Sequence, residues 1–264
     1  MTRKTLACIL VVCILGWLGY KVHRTFNPLG KENSRVYSVE SKYTVDEEIK
    51  NALAGFDAAK PVEVITQGPD ATKGIILSLD GMADKETMNK IMELLEKHKA
   101  KGTFFIQGAY AAEHKEIVED IVKKGYGVEN YTLSGKNHME KLGKEEIIGD
   151  FARSQKVFTT IMDKPPTLLK CQDTEYTDTL LKAARATGFK AVVRNAVVLR
   201  PLNFDTLDNA NAFVVKIPKG SIVSIKLNRY SKTKDEKIKV VDIGVFVENF
   251  LQACENNNIL VEKI

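Results

Sequence analysis

A chain of 264 residues, 44% hydrophobic and 28% charged, has the makeup of a folded protein with room for one large α/β domain. Its formal charge of +5 is uneven: residues 1–24 hold Arg3, Lys4, Lys21 and Arg24 and no acid, while the other 240 residues set 35 basic against 34 acidic side chains. A body so nearly neutral gives no electrostatic footprint for nucleic acid, which is excluded as a partner.

Residues 5–20, TLACILVVCILGWLGY, carry no charge and have cations on both sides. Sixteen residues are short for a bilayer span and also suit the core of a signal peptide. No small-x-small triplet closes the run, Val12 rather than a small residue precedes Cys13, and Trp17 and Tyr20 suit an interfacial belt. Residues 1–24 are therefore expected to be a cytoplasmic tip and uncleaved signal anchor, with the rest of the chain outside the cytoplasm. Residues 25–73 read as a tether containing a short helix (46–59) and an extended piece, PVEVIT.

From residue 74 a regular alternation begins. Short β-type runs fall at 74–79, 102–107, 126–131, 167–171, 191–195, 221–227 and 259–264, with helical patterns between most of them. Met88, Ile91, Met92 and Leu95 share one helical face; so do Ile147, Phe151, Phe158 and Ile161, and the stripe from Ile243 to Cys254. Apolar runs alternating with amphipathic helices predict a mostly parallel sheet covered by helices, here an incomplete (β/α) barrel of about seven strands. Function in such a fold gathers where strands end, and Asp80, Tyr131, Cys171 and Lys226 stand at or near such ends. Neither GxxxxGK[ST] nor GxGxxG is present. Cys8 and Cys13 lie in the anchor, and Cys171 and Cys254 are expected to be unpaired. His98 and His114 are expected at the surface, on helices facing away from the strand ends.

Read together, LSLDG, KAKGTFFIQG and EIVEDIVKKGYGVENYTLSGKNHMEKL resemble the polysaccharide deacetylase family, carbohydrate esterase family 4, with its NodB-type fold. EEIIGDFARSQKVF, PPTLLKC, TDTLLKAARATGFKAVV and KGSIVSIKL continue the resemblance, which covers residues 74–264. It implies deacetylation of an amino sugar. The chemistry implied uses two adjacent acids after the first strand, one a general base and one a metal ligand. Two histidines after the third strand complete a divalent site such as zinc, which polarises the amide and activates water. An arginine orients the base, and a late histidine protonates the leaving amine.

This chain departs from that pattern at each motif. Asp80 aligns with the metal-binding acid, which puts Leu79 at the base; a one-residue deletion makes Asp80 the base instead. Tyr131 stands at the first histidine and Gly135 at the second, with Lys136 there if a gap shifts. Lys170 falls at the arginine and Lys226 at the late histidine. His138 is the nearest substitute ligand. Two readings of Asp80 stay open: an ammonium from Lys170 or Lys226 replaces the charge of the metal, or both lysines point outward and Asp80 caps its turn.

The resulting expectation is a degenerate deacetylase-like domain, on the outer side of a bacterial cytoplasmic membrane, that uses no metal cofactor. It would bind an envelope polysaccharide such as peptidoglycan, with Tyr131, Tyr176 and Tyr230 as glycan-binding candidates, or a protein partner. The alternative is an active N-deacetylase with a rearranged zinc site.

Overall fold

The computed structural model describes residues 39, 42–162, 164–227 and 242–264. The apolar run 5–20 and Tyr230 lie outside the described residues. The chain divides into two units, residues 1–42 and 43–264, and the second holds the sheet and its helices. Among the described residues no helix is long and apolar enough to cross a membrane.

The order is α1 (Asp46–Phe56), β1 (Glu63–Ile65), β2 (Ile75–Asp80), α2 (Lys85–Lys97), β3 (Thr103–Ile106), α3 (Gly108–Glu113), α4 (Lys115–Lys123) and β4 (Gly127–Asn130). Then come α5 (Lys144–Met162), β5 (Leu168–Leu169), α6 (Asp178–Ala186), β6 (Ala191–Val193), β7 (Val197–Val198), α7 (Leu207–Val214), β8 (Ile222–Lys226), α8 (Ile243–Asn256) and β9 (Val261–Glu262). The strands make one sheet in the order β1-β6-β5-β4-β3-β2-β8-β7, with β9 also on β2. Every ladder is parallel. The sheet curls into an incomplete barrel. Across its gap, one isolated antiparallel bridge joins Gln67 to Ser221, and Gly68 N donates to Gly220 O.

Each expected run forms a strand, though β5 pairs over only two residues. β1 and β7 are additional. The sheet thus starts at Glu63, within the segment read as a tether, because PVEVIT finds a parallel partner in β6. The helical stripes face inward as their periodicity requires: Met88, Ile91, Met92 and Leu95 are buried on α2, whose N-cap Asp84 accepts from Thr87 N. On α8, Phe246 and Phe250 close on Phe204.

His98 corrects the expectation of a surface residue. Its side chain is 3% exposed, wedged against α8, with Nδ1 2.9 Å from Glu255 Oε2 and Nε2 3.3 Å from Glu248 Oε1. Those partners lie some 150 residues away in sequence, beyond any local pattern.

Two details hold the strand starts. Gly74 lies against the chain entering β9: a Cβ there would stand 1.9 Å from Leu260 O. Glu129 accepts from the N–H groups of Thr167 and Leu168 and so fixes the start of β5. Burial pushes its carboxyl up to about 7, against the pull of these two donors.

Gly74→Ala should therefore lower the melting temperature by about 5–10 °C, because backbone must move to admit the methyl; thermal unfolding followed by circular dichroism measures it. For Glu129, the native state binds the proton more tightly than the unfolded state, so this group's contribution to stability falls as pH rises from about 4.5 to about 7. Urea unfolding across that range should show a downward slope that Glu129→Gln flattens.

Candidate functional site

The surroundings of Asp80 are set by β2. Along the strand side chains alternate, so Ile76, Ser78 and Asp80 share the face turned into the barrel. Ile76 packs there with Phe105, Tyr131, Val193 and Ile222. Above this apolar floor the lining turns polar. Ser78 lies in register with Ser224 on β8, and Asp80 with Lys226.

Asp80 does not cap its turn. Gly81 makes that turn with φ 84° and donates its N–H to Phe105 O. The Asp80 carboxylate, 1% exposed, instead accepts from Lys170 Nζ at 2.7 Å, from Ser78 Oγ at 2.6 Å and, through its other oxygen, from Ser224 Oγ. Lys170, one residue beyond β5, also donates to Ser78 Oγ at 2.7 Å and lies 5.0 Å from the centre of the Phe105 ring. Burial pushes its ammonium below the usual lysine range, while Asp80 holds it up. The expected reading in which both lysines point outward is thus corrected for Lys170.

Lys226 takes a different partner. Its Nζ donates to Asp173 Oδ1 at 3.0 Å, nearer the rim. Asp173, at φ 40°, follows Gln172, which accepts from the Tyr131 hydroxyl at 3.4 Å. Burial first, then the Asp80 and Asp173 carboxylates, push that hydroxyl above the ordinary phenol range, so it stays protonated. The mouth therefore holds two stacked ion pairs, one buried and one nearer solvent. Leu79, on the opposite face of β2, is buried and offers no base.

The loop after β4 is equally committed. Thr132, β-branched at φ 65°, is in a rarely populated conformation. It is held there because its carbonyl accepts from Gly108 N and Ser154 Oγ, while its own Oγ1 accepts from Gly135 N. Gly135 has φ 73°, and a Cβ on it would stand 2.9 Å from Gln107 Nε2. A histidine at that position would meet both obstacles.

A zinc ion does not fit the donors present. Zinc takes three or four imidazoles, thiolates or carboxylates. Asp80 already accepts from Lys170 and two serines, Tyr131 is engaged by Gln172, and Gly135 has no side chain. His138 is turned outward, its side chain 58% exposed and its Nδ1 3.2 Å from Glu140. Among the described residues no three His, Cys, Asp or Glu side chains group to hold a metal. Of the tyrosines, Tyr131 is buried and offers no ring face to a glycan. Tyr176 donates to Val193 O, accepts from Cys171 N and carries Arg194 over its ring; it serves packing. Sequence reasoning missed Ser78 and Ser224. Their signal was present as lone hydroxyls two residues before Asp80 and Lys226 in otherwise apolar strands.

Residues 67–192, just under half of the chain, match the family model described as polysaccharide deacetylase. The domain belongs to the polysaccharide deacetylase family. A peptidoglycan-N-acetylglucosamine deacetylase of Bacillus cereus is 26% identical over 125 residues, covering 47% of this chain and 45% of that protein. The chain spans about half the length of the curated deacetylases of this kind that it matches. Among solved structures, a family 4 carbohydrate esterase from Streptomyces lividans in complex with acetate superposes with a TM-score of 0.59 at 19% identity, covering 72% of this chain and 93% of that one. A pseudoenzyme of the same family from Bacillus anthracis superposes at 0.61 with 18% identity, covering 76% and 67%. At such identities the structural likeness concerns the fold.

Removing one member of the buried pair strands the other. Lys170→Met should cost about 3–5 kcal/mol of folding stability. Adding Asp80→Asn should recover more than half of that loss, because no charge is then left buried. Urea unfolding of both variants at pH 7 measures the difference.

Proposed function

We propose that this domain is a non-hydrolytic member of its family that binds an envelope glycan of the peptidoglycan kind, held on the outer side of a bacterial cytoplasmic membrane by residues 5–20. The observation that carries the reading is the Lys170 ammonium seated 2.7 Å from Asp80 inside the barrel. Deacetylation in this family's manner needs a dication beside that acid and a water bound to it. An ammonium supplies charge without a Lewis-acid site, and it repels an approaching dication by about 4–8 kcal/mol at 8–4 Å with an effective dielectric near 20. The serines take two more of the carboxylate's four lone-pair sites, one on each oxygen, so a metal would have to displace them or share Oδ2 with Ser224.

The glycan part rests on kinship. The curated relatives are named for peptidoglycan N-acetylglucosamine and for chitooligosaccharide, two polymers of N-acetylated amino sugars. A Bacillus anthracis relative in fold is described as a pseudoenzyme, and one of its mutants as having restored activity. Membership of the family and loss of hydrolysis therefore coexist elsewhere on this fold.

The test combines three measurements on the purified full chain: zinc content by mass spectrometry, acetate release from N-acetylglucosamine oligomers, and co-sedimentation with peptidoglycan sacculi. Substoichiometric zinc, no acetate and saturable co-sedimentation are expected. Stoichiometric zinc lost in Asp80→Ala, together with turnover, would instead support an active N-deacetylase with a rearranged site. No zinc, no turnover and no sedimentation would leave a protein partner as the ligand.

A further inference from the structure

Because every ladder is parallel, the segments leading into the strands gather at one end of the barrel, opposite the mouth. That end is rich in lysine. Lys73, Lys101, Lys124, Lys164, Lys190 and Lys219 stand within four residues ahead of β2, β3, β4, β5, β6 and β8 respectively, and all are exposed. Lys99, Lys123 and Lys263 add to the same end.

Some of the acids found there are engaged, while others, Glu63 and the first-turn acids of α1 among them, are exposed. Glu96 is paired with Lys124 at 2.9 Å, Glu129 binds the start of β5, and Glu262 accepts from the N–H groups of Lys73 and Gly74. Asp70 is exposed, and Asp46 and Glu47 sit on α1 in the outer helical layer. The mouth is different: its charges are matched in the pairs Lys170–Asp80 and Lys226–Asp173.

Helix ends alone do not account for the lysines. Cations in a last helical turn offset the helix dipole, which covers Lys97, Lys123 and Arg185. Lys101, Lys190 and Lys219 lie beyond the ends of α2, α6 and α7, and Lys73 follows no helix directly. Beside Lys101 a cavity of about 330 Å³ is lined by Lys99, Lys101, Tyr126 and the Glu96–Lys124 pair. The Lys101 ammonium lies 5.4 Å from the centre of the Tyr126 ring. Such a hollow has room for a phosphate group.

The point where the chain enters identifies an occupant. Glu48 pairs with Lys156, and Lys144 sits over Phe56, so α1 runs antiparallel to α5. The first turn of α1 therefore lies beside the half of α5 that runs toward the lysine-rich end. Only residues 21–42 separate this entry from the apolar run 5–20.

We propose that the lysine-rich end docks on the anionic headgroups of a phospholipid membrane, the one in which residues 5–20 are read as anchored, leaving the mouth turned away from it. Clustered lysines next to a membrane-inserted segment bind anionic lipid in a manner that salt weakens. The inference shares the anchor with the proposed function but not the glycan or the chemistry of the mouth.

The test is lysine acylation footprinting of the full chain with phosphatidylcholine vesicles and with vesicles containing phosphatidylglycerol, read by mass spectrometry. Flotation of the same samples reports anchoring separately. On phosphatidylglycerol, Lys73, Lys101, Lys190 and Lys219 should label at least about threefold less than on phosphatidylcholine, and roughly 0.5 M salt should erase the difference. Lys85 and Lys136, exposed at the mouth end, should label equally on both. Equal labelling of the four lysines on the two vesicles overturns the proposal whether or not the chain floats. Equivalent protection by soluble polyphosphate on phosphatidylcholine vesicles also overturns it, in favour of a polyanion site.

Discussion

Lys170 and Asp80 are opposite charges buried 2.7 Å apart, and much of the barrel interior is arranged to make that tolerable. A buried charge is costly unless it is paired and its remaining hydrogen-bonding capacity is met. Ser78 serves both partners and Ser224 takes the second carboxylate oxygen. Phe105 presents its ring to the ammonium. Beneath them the interior is apolar, and beside them Tyr131 fills the space with a hydroxyl that remains neutral. The site is thus complete within the chain: its charges are balanced and its donors and acceptors largely matched.

The scaffold around the site depends on other contacts. The loop after β4 keeps its strained shape because Ser154 Oγ donates to both Asn130 Oδ1 and Thr132 O, Thr132 Oγ1 accepts from Gly135 N, and Asp150 accepts from Leu133 N. None of these bonds involves Asp80 or Lys170. The framework that presents the mouth and the groups that occupy it are held by separate interactions, so one can change while the other persists. That separation leaves the strand order and helices independent of which side chains line the mouth.

Much of this was legible in the residues, for local reasons. Helical stripes such as Met88 to Leu95 depend on spacing within one segment, and apolar runs such as IILSLD depend on their neighbours along the chain. β1 and β7 escaped because three and two residues carry too little pattern to separate from loop; only the partner strands reveal them. The site was half legible. Position at strand ends brought Asp80, Lys170 and Lys226 to one mouth, but which lysine meets the carboxylate depends on how each strand tilts its last residues. Lys226 is level with Asp80 in the ladder yet turns to Asp173, while Lys170 reaches in from across the barrel. His98 shows the same limit, since its glutamates come from α8.

The pairing also bears on the evolutionary path of the chain. Replacing Lys170 by a residue without charge would strand Asp80, and losing Asp80 first would strand Lys170; either single change folds less well than the chain with both charges or with neither. Gly135 adds a second barrier, for its left-handed backbone and the closeness of Gln107 penalise an imidazole until the loop itself is rebuilt. Mutations that are individually harmful and useful only together are rarely reached one at a time. Selection for stability alone would then hold the pair and the loop together.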